Sequence, residues 1–186
     1  MTCELILGGA RSGKSRHAEQ RALDSGLAVT VIATAEAGDE EMIERIRRHR
    51  ADRPLHWRTV EAPVALADTL RREAAADRCL IVDCLTLWLC NLLAGAENLP
   101  PAASADALPL FRRERDALLA TLSAPLAALP GRILFVANEI GLGLVPETPL
   151  GRLFRDEAGR LNQAVAAACP HVVFVAAGLP LVLKQG

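Results

Sequence analysis

Three observations on the sequence predict an α/β fold, with a mostly parallel central sheet flanked by helices on both faces. Short apolar runs alternate along the chain with stretches of helical pattern. The first such run passes through a glycine-rich turn straight into good helix formers. A later run, Leu80-Ile81-Val82, ends on the carboxylate of Asp83. Runs that are apolar on both faces suit buried parallel strands rather than half-solvated antiparallel ones.

In chain order the expected strands are Glu4–Leu7, Val29–Ala33, His56–Val60, Cys79–Val82, Ile133–Val136 and Val172–Val175, with Leu181-Val182-Leu183 as a further edge strand. Between them the expected helices are Lys14–Leu23, Asp39–Ala51, Val64–Ala75, Leu85–Leu93, Phe111–Leu129 and Arg152–Ala168. Alternation of this kind returns each strand to the same sheet through a crossover helix. Only Gly95–Leu108, rich in Pro and Ala, reads as a long loop. At 186 residues and 51% hydrophobic, the chain can bury one well-formed core, so residues 1–186 are expected to form one domain.

The turn after the first strand reads Gly8-Gly9-Ala10-Arg11-Ser12-Gly13-Lys14-Ser15 and fills every fixed position of G-x-x-x-x-G-K-[ST]. A strand, a glycine-rich turn and a helix N-terminus aim several backbone N–H groups at one anion. Lys14 is expected to reach the β- and γ-phosphates of a nucleoside triphosphate, and the Ser15 hydroxyl to ligate Mg²⁺. This makes the expected fold a P-loop, RecA-like one. In such sheets ligands collect at the carboxyl ends of the strands, where Asp83 emerges, so Asp83 is expected to hold the Mg²⁺ as well.

The stretch from Asp39 to Arg53 opens with acidic residues and closes with Arg47, Arg48, Arg50 and Arg53, matching the helix dipole. Met42, Ile46 and His49 share one face, and on periodicity alone His49 is a half-buried packing residue more readily than a catalyst. The surrounding arginines disfavour protonation of its ring and would keep it neutral and nucleophilic. His17, His56 and His171 fall in the first helix and in two strands. Asn138-Glu139-Ile140-Gly141-Leu142-Gly143-Leu144-Val145-Pro146 follows the strand ending at Val136, so Asn138 and Glu139 emerge at the same sheet edge as Asp83. Arg155, Arg160 and Asn162 lie on one helix.

Composition excludes several classes. A net charge of -1 and a pI near 6.4 leave no electrostatic footprint for nucleic acid. Aromatic residues make up 3% of the chain, with no Tyr, so no base-stacking platform is expected. No apolar stretch is long enough for a membrane span or a signal h-region. The cysteines (Cys3, Cys79, Cys84, Cys90, Cys169) form no C-x-x-C pair, which argues against zinc and against a secreted disulfide framework. Cys3 and Cys79 are expected to act as small buried hydrophobes in a reduced, cytoplasmic protein.

The runs GGARSGKS, RIRRHRADRP, HWRTVE, LIVDCLTLWLCNLL, NEIGLGLVP, FRDEAGRLNQ and AGLPLVLK stand here in a fixed order. In them the chain resembles the bifunctional adenosylcobinamide kinase / adenosylcobinamide-phosphate guanylyltransferase family of cobalamin biosynthesis. The likeness spans nearly the whole length and weakens only around Gly95–Leu110. It implies that ATP or GTP phosphorylates the aminopropanol hydroxyl of adenosylcobinamide. GMP then passes from GTP, through a guanylylated histidine matching His49, to give adenosylcobinamide-GDP and pyrophosphate. The resemblance also implies that Thr34, Ala35, Glu36, Arg50, Ala51, Asp52, Arg53, Glu61 and Asp83 join Gly8 to Ser15 around the nucleotide, and that the protein is a homotrimer. A P-loop small-molecule kinase with a structural His49, and a nucleotide-binding regulatory module, are the rival readings.

Overall fold

The computed structural model describes residues 2–36, 38, 40, 43, 44, 47, 53–96, 104–123 and 129–186. Seven strands are present: β1 (Thr2–Gly8), β2 (Ala28–Ala33), β3 (Arg58–Glu61), β4 (Arg78–Asp83), β5 (Arg132–Asn138), β6 (His171–Ala176) and β7 (Leu179–Gln185). The helices are α1 (Lys14–Leu23), α2 (Leu66–Glu73), α3 (Leu85–Leu92), α4 (Pro109–Ser123) and α5 (Pro149–Ala168), with a 3₁₀ turn at Ala105–Ala107. All strands join one sheet in the order β3-β2-β4-β5-β1-β6-β7. The first six run parallel, and β7 pairs antiparallel with β6 at the edge. The expected mostly parallel α/β fold is what forms, edge strand included. The expected helix over 39–51 falls mostly outside the described residues.

Alternation along the strands splits the core in two. Leu5, Leu7, Leu80, Val82, Ile133, Phe135 and Ala137 face α2, α3, α4 and α5, where Leu66, Leu70, Trp88, Leu118, Leu161 and Val165 meet them. Ile6, Cys79, Ile81, Leu134, Val136 and Val175 face the other way, onto Ala18 and Ala22 of α1 and onto Trp57. A strand buried on both faces must be apolar at nearly every position, the pattern by which these runs stand out. Glu4 is the charged exception. It is buried within β1, and its carboxylate accepts from Arg21 of α1 (3.1 Å) and Arg132 of β5 (3.0 Å).

Helix ends fit local chemistry. α5 begins earlier than its apolar pattern, because Thr148 caps it by accepting from Gly151 N–H (3.1 Å) and Pro149 takes the first turn. β5 runs two residues beyond Val136, so Asn138 belongs to the strand.

One expectation is overturned. Cys3 is not a free thiol but is joined to Cys169 by a disulfide. Cys169 caps the C-terminus of α5, and folding brings its Cα to 5.0 Å from that of Cys3, within disulfide reach. Sequence spacing carries no trace of a pairing across 166 residues. Cys79, Cys84 and Cys90 are free.

Candidate active site

Because six strands run parallel, Gly8, Ala33, Glu61, Asp83, Asn138 and Ala176 all finish at one edge of the sheet. The glycine-rich turn leaves β1 there. A Cβ on Gly8 would lie 2.5 Å from Val175 O, so the tight exit from the strand admits no side chain. Gly13 caps α1 at φ 96° and Arg11 sits at φ 56°, which curls the loop so that its N–H groups converge ahead of the helix. Lys14 Nζ donates to Gly9 O (3.1 Å), holding the ammonium against the loop. Two neighbours brace this cradle: Gly178 N–H donates to Ser12 O (2.8 Å), and Glu139 N–H donates to Gly8 O (3.1 Å).

Asp83 and Ser15 line the same small cleft, together with Glu19 and Arg53. Arg53 Nη2 donates to Asp83 Oδ2 at 2.5 Å, and Arg53 Nε stands 3.7 Å from Glu19 Oε1. The Arg53 side chain is only 8% exposed, so its charge depends on these two carboxylates. A hydroxyl and a carboxylate facing one cleft are hard oxygen donors of the kind Mg²⁺ takes, and Mg²⁺ commonly asks no more of a protein when phosphates supply further ligands. The donor set therefore fits the ion, with Arg53 as its competitor for Asp83. Among the described residues, no cluster of three or more His, Cys, Asp or Glu could hold a metal by itself.

The next residue, Cys84, is buried. Burial first, and then the charge of Asp83, push its thiol pKa up, which keeps it protonated and poorly nucleophilic. Thr34, fully buried, grips it: Thr34 Oγ1 donates to Cys84 O (2.7 Å) and accepts from Cys84 N–H (2.8 Å). Asn91 of α3 donates to Thr34 O (2.8 Å), so the ends of β2 and β4 are tied together. Thr34 thus turns its hydroxyl inward, while Ala35 is half-buried and Glu36 and Glu61 are exposed at the same edge. Ala10 is exposed, and Gly9, Ser12 and Ser15 are partly buried along the loop. His49, Arg50, Ala51 and Asp52 lie outside the described residues.

Sequence reasoning missed several supports. Thr86 Oγ1 accepts from Asn138 N–H (2.7 Å), and Asn162 of α5 donates to Asn138 O (3.2 Å), which fixes the end of β5 beside the cradle. The Arg53–Asp83 pair and the Gly178 brace were equally invisible. Each joins residues far apart in sequence, and no local pattern marks them.

The fold and this cradle define a P-loop nucleotide-binding protein. Its architecture matches a type III secretion system ATPase with a TM-score of 0.55 at 10% identity, over 97% of this chain and 56% of that one. Residues 4–183 match the family described as cobinamide kinase / cobinamide phosphate guanyltransferase, and the chain belongs to it. It is 58% identical over 181 residues to the bifunctional adenosylcobalamin biosynthesis protein CobP of Pseudomonas aeruginosa, covering 97% of this chain and 96% of that protein. It is 41% identical over 182 residues to CobU of Salmonella typhimurium, covering 97% and 98%.

Proposed function

We propose that this chain catalyses both reactions of its family's description, as one P-loop domain over residues 1–186. In the first, the aminopropanol hydroxyl oxygen of adenosylcobinamide attacks the γ-phosphorus of ATP or GTP. The hydroxyl proton departs, and the nucleoside diphosphate leaves. The loop from Gly8 to Ser15 binds the phosphates through its N–H groups, and Lys14 neutralises charge that develops on them. Mg²⁺ would be held by Ser15 and Asp83, and it supplies charge neutralisation on the phosphate oxygens. Thr34, Ala35, Glu36, Glu61 and the segment Arg50–Arg53 complete the nucleotide pocket in this reading.

In the second reaction a neutral nitrogen of His49 attacks the α-phosphorus of GTP, and pyrophosphate leaves. An oxygen of adenosylcobinamide phosphate then attacks the phosphorus of the P–N adduct. His49 is released and adenosylcobinamide-GDP forms, so one hard displacement becomes two easier ones. The observation that carries the proposal is the braced P-loop, with Asp83 facing Ser15, in a chain whose family is described by both activities. A homotrimer in the cytoplasm is the corresponding expectation for its state. Among the described residues no helix is long and apolar enough to cross a membrane.

The test is incubation with GTP labelled at the α-phosphate, with Mg²⁺. The protein should retain label in an acid-labile, alkali-stable bond that maps to His49. His49→Ala should lose both the adduct and GMP transfer while keeping phosphorylation of adenosylcobinamide. Absence of label in the parent protein would leave a kinase alone.

A further inference from the structure

The loop that follows β5 spends its apolar residues on water. Leu142 is 83% exposed, Leu144 95% and Val145 64%. The segment is nonetheless pinned at both ends. Glu139 Oε1 accepts from Gly141 N–H (2.5 Å), Arg152 donates to Pro146 O (2.9 Å) and Glu147 O (2.7 Å), and Thr148 caps α5. A held loop that presents three large aliphatic side chains to solvent keeps in water an area that burial against a ligand would recover. Gly141 and Gly143 alternate with the leucines and add no side chains, which leaves the surface low in relief.

Its position narrows the choice of ligand. The Glu139 N–H bond to Gly8 O joins the start of this loop to the phosphate cradle. A phosphoryl acceptor must bring its hydroxyl to the outer phosphate near Lys14, and the bulk of the acceptor then rests on whatever borders the cradle. Cobinamide, the acceptor in the family's description, is a broad macrocycle. Its faces carry conjugated carbon and methyl groups, and amides ring its edge. An aliphatic seat bordered by the polar groups of Glu139 and Glu147 is complementary to that shape and chemistry.

We infer that Leu142, Leu144 and Val145 form the seat for the corrin macrocycle of the acceptor, beside the P-loop. The inference rests on the reading of this chain as a cobinamide kinase and assigns to it the surface that holds the acceptor. The exposed residues of β7 serve as an internal control. Pairing of Lys184 with Val172 and of Val182 with Val173 seats Leu183 part-way along the edge strand, back from the carboxyl end where Leu179 pairs with Ala176. It is apolar and 56% exposed, and it lies on β7 and not on the loop after β5.

The experiment measures cobinamide binding by equilibrium dialysis, steady-state kinetics with ATP, and sedimentation, for the parent, Leu142→Ser/Leu144→Ser and Leu183→Ser. The loop variant should weaken cobinamide binding and raise its KM by roughly tenfold for each leucine, the loss expected from failing to bury such a side chain. Its kcat should stay within about threefold, and its KM for ATP and its sedimentation should not move. Leu142→Met/Leu144→Met should restore binding, and Leu183→Ser should leave it intact. Cobinamide affinity within twofold of the parent in the serine variant would overturn the inference alone. A changed sedimentation with unchanged cobinamide affinity would also overturn it, since the patch would then join copies of this chain. Failure of the parent itself to bind cobinamide would remove the proposed function and this inference with it.

Discussion

Replacing Asp83 by Asn tests the cleft from two sides. The substitution keeps the size of the side chain and removes its charge. Arg53 then retains Glu19 at 3.7 Å as a counter-charge while staying almost wholly enclosed. A hydrogen bond between charged groups contributes about 1.5–3 kcal/mol, and breaking a fully buried pair costs about 3–5 kcal/mol. Here Asp83 is 20% exposed, Glu19 persists, and Asn can still accept one bond, so the lower range applies. A loss of about 2 kcal/mol is expected, which for a chain of this size lowers Tm by about 4–8 °C. The same change removes the charged ligand proposed for Mg²⁺, so half-saturation by Mg²⁺ in the kinase assay should move to higher concentration. Thermal unfolding and Mg²⁺ titration read the two effects separately. Adding Arg53→Gln should recover part of the stability, because the uncompensated cation goes, without restoring the Mg²⁺ dependence. Unchanged Tm together with superimposed titrations would refute both the ion-pair ledger and the metal role.

Lys14→Ala should remove most phosphorylation of adenosylcobinamide while shifting Tm by less than about 2 °C, since this partly exposed lysine donates to the loop carbonyl of Gly9 and is not part of the hydrophobic core; turnover and a melting curve check it. His17 has its pKa lowered chiefly by burial, with Arg21 adding to the effect and Glu4 and Asp24 opposing it. The unfolded chain therefore takes up that proton first, and this contribution to stability is whole above about pH 6.5 and declines as pH falls through that value toward the lower folded one. His17→Gln should lose less stability than the parent between pH 7.5 and 5.5 in denaturant titrations.

What the sequence disclosed and what it withheld divide along a physical line. Buried parallel strands such as Leu80-Ile81-Val82 are legible because both faces demand apolar residues, and the cradle is legible because its chemistry imposes fixed spacing on Gly8, Gly13, Lys14 and Ser15. β7 was the faintest strand. All seven of its residues are exposed, so no burial pattern marks it. Contacts made by single side chains across the fold leave no local signature. Thr34 clamps Cys84 across 50 positions, Arg53 meets Asp83 across 30, and Arg132 reaches Glu4 across 128. The Cys3–Cys169 bond belongs to the same class.

The placement of β1 between β5 and β6 has a consequence for how this protein comes into being. The phosphate-binding motif is synthesised well before the strands that flank it and the turn at Gly178 that steadies it. A nascent chain that ends before β5 carries the entire motif and neither of the strands that flank it. Closure over such long separations is entropically slow, and it waits on late residues. Capacity to hold a nucleotide is thus acquired only once β5 and β6 have closed around β1, and nucleotide present at that moment stabilises only chains in which that closure is made.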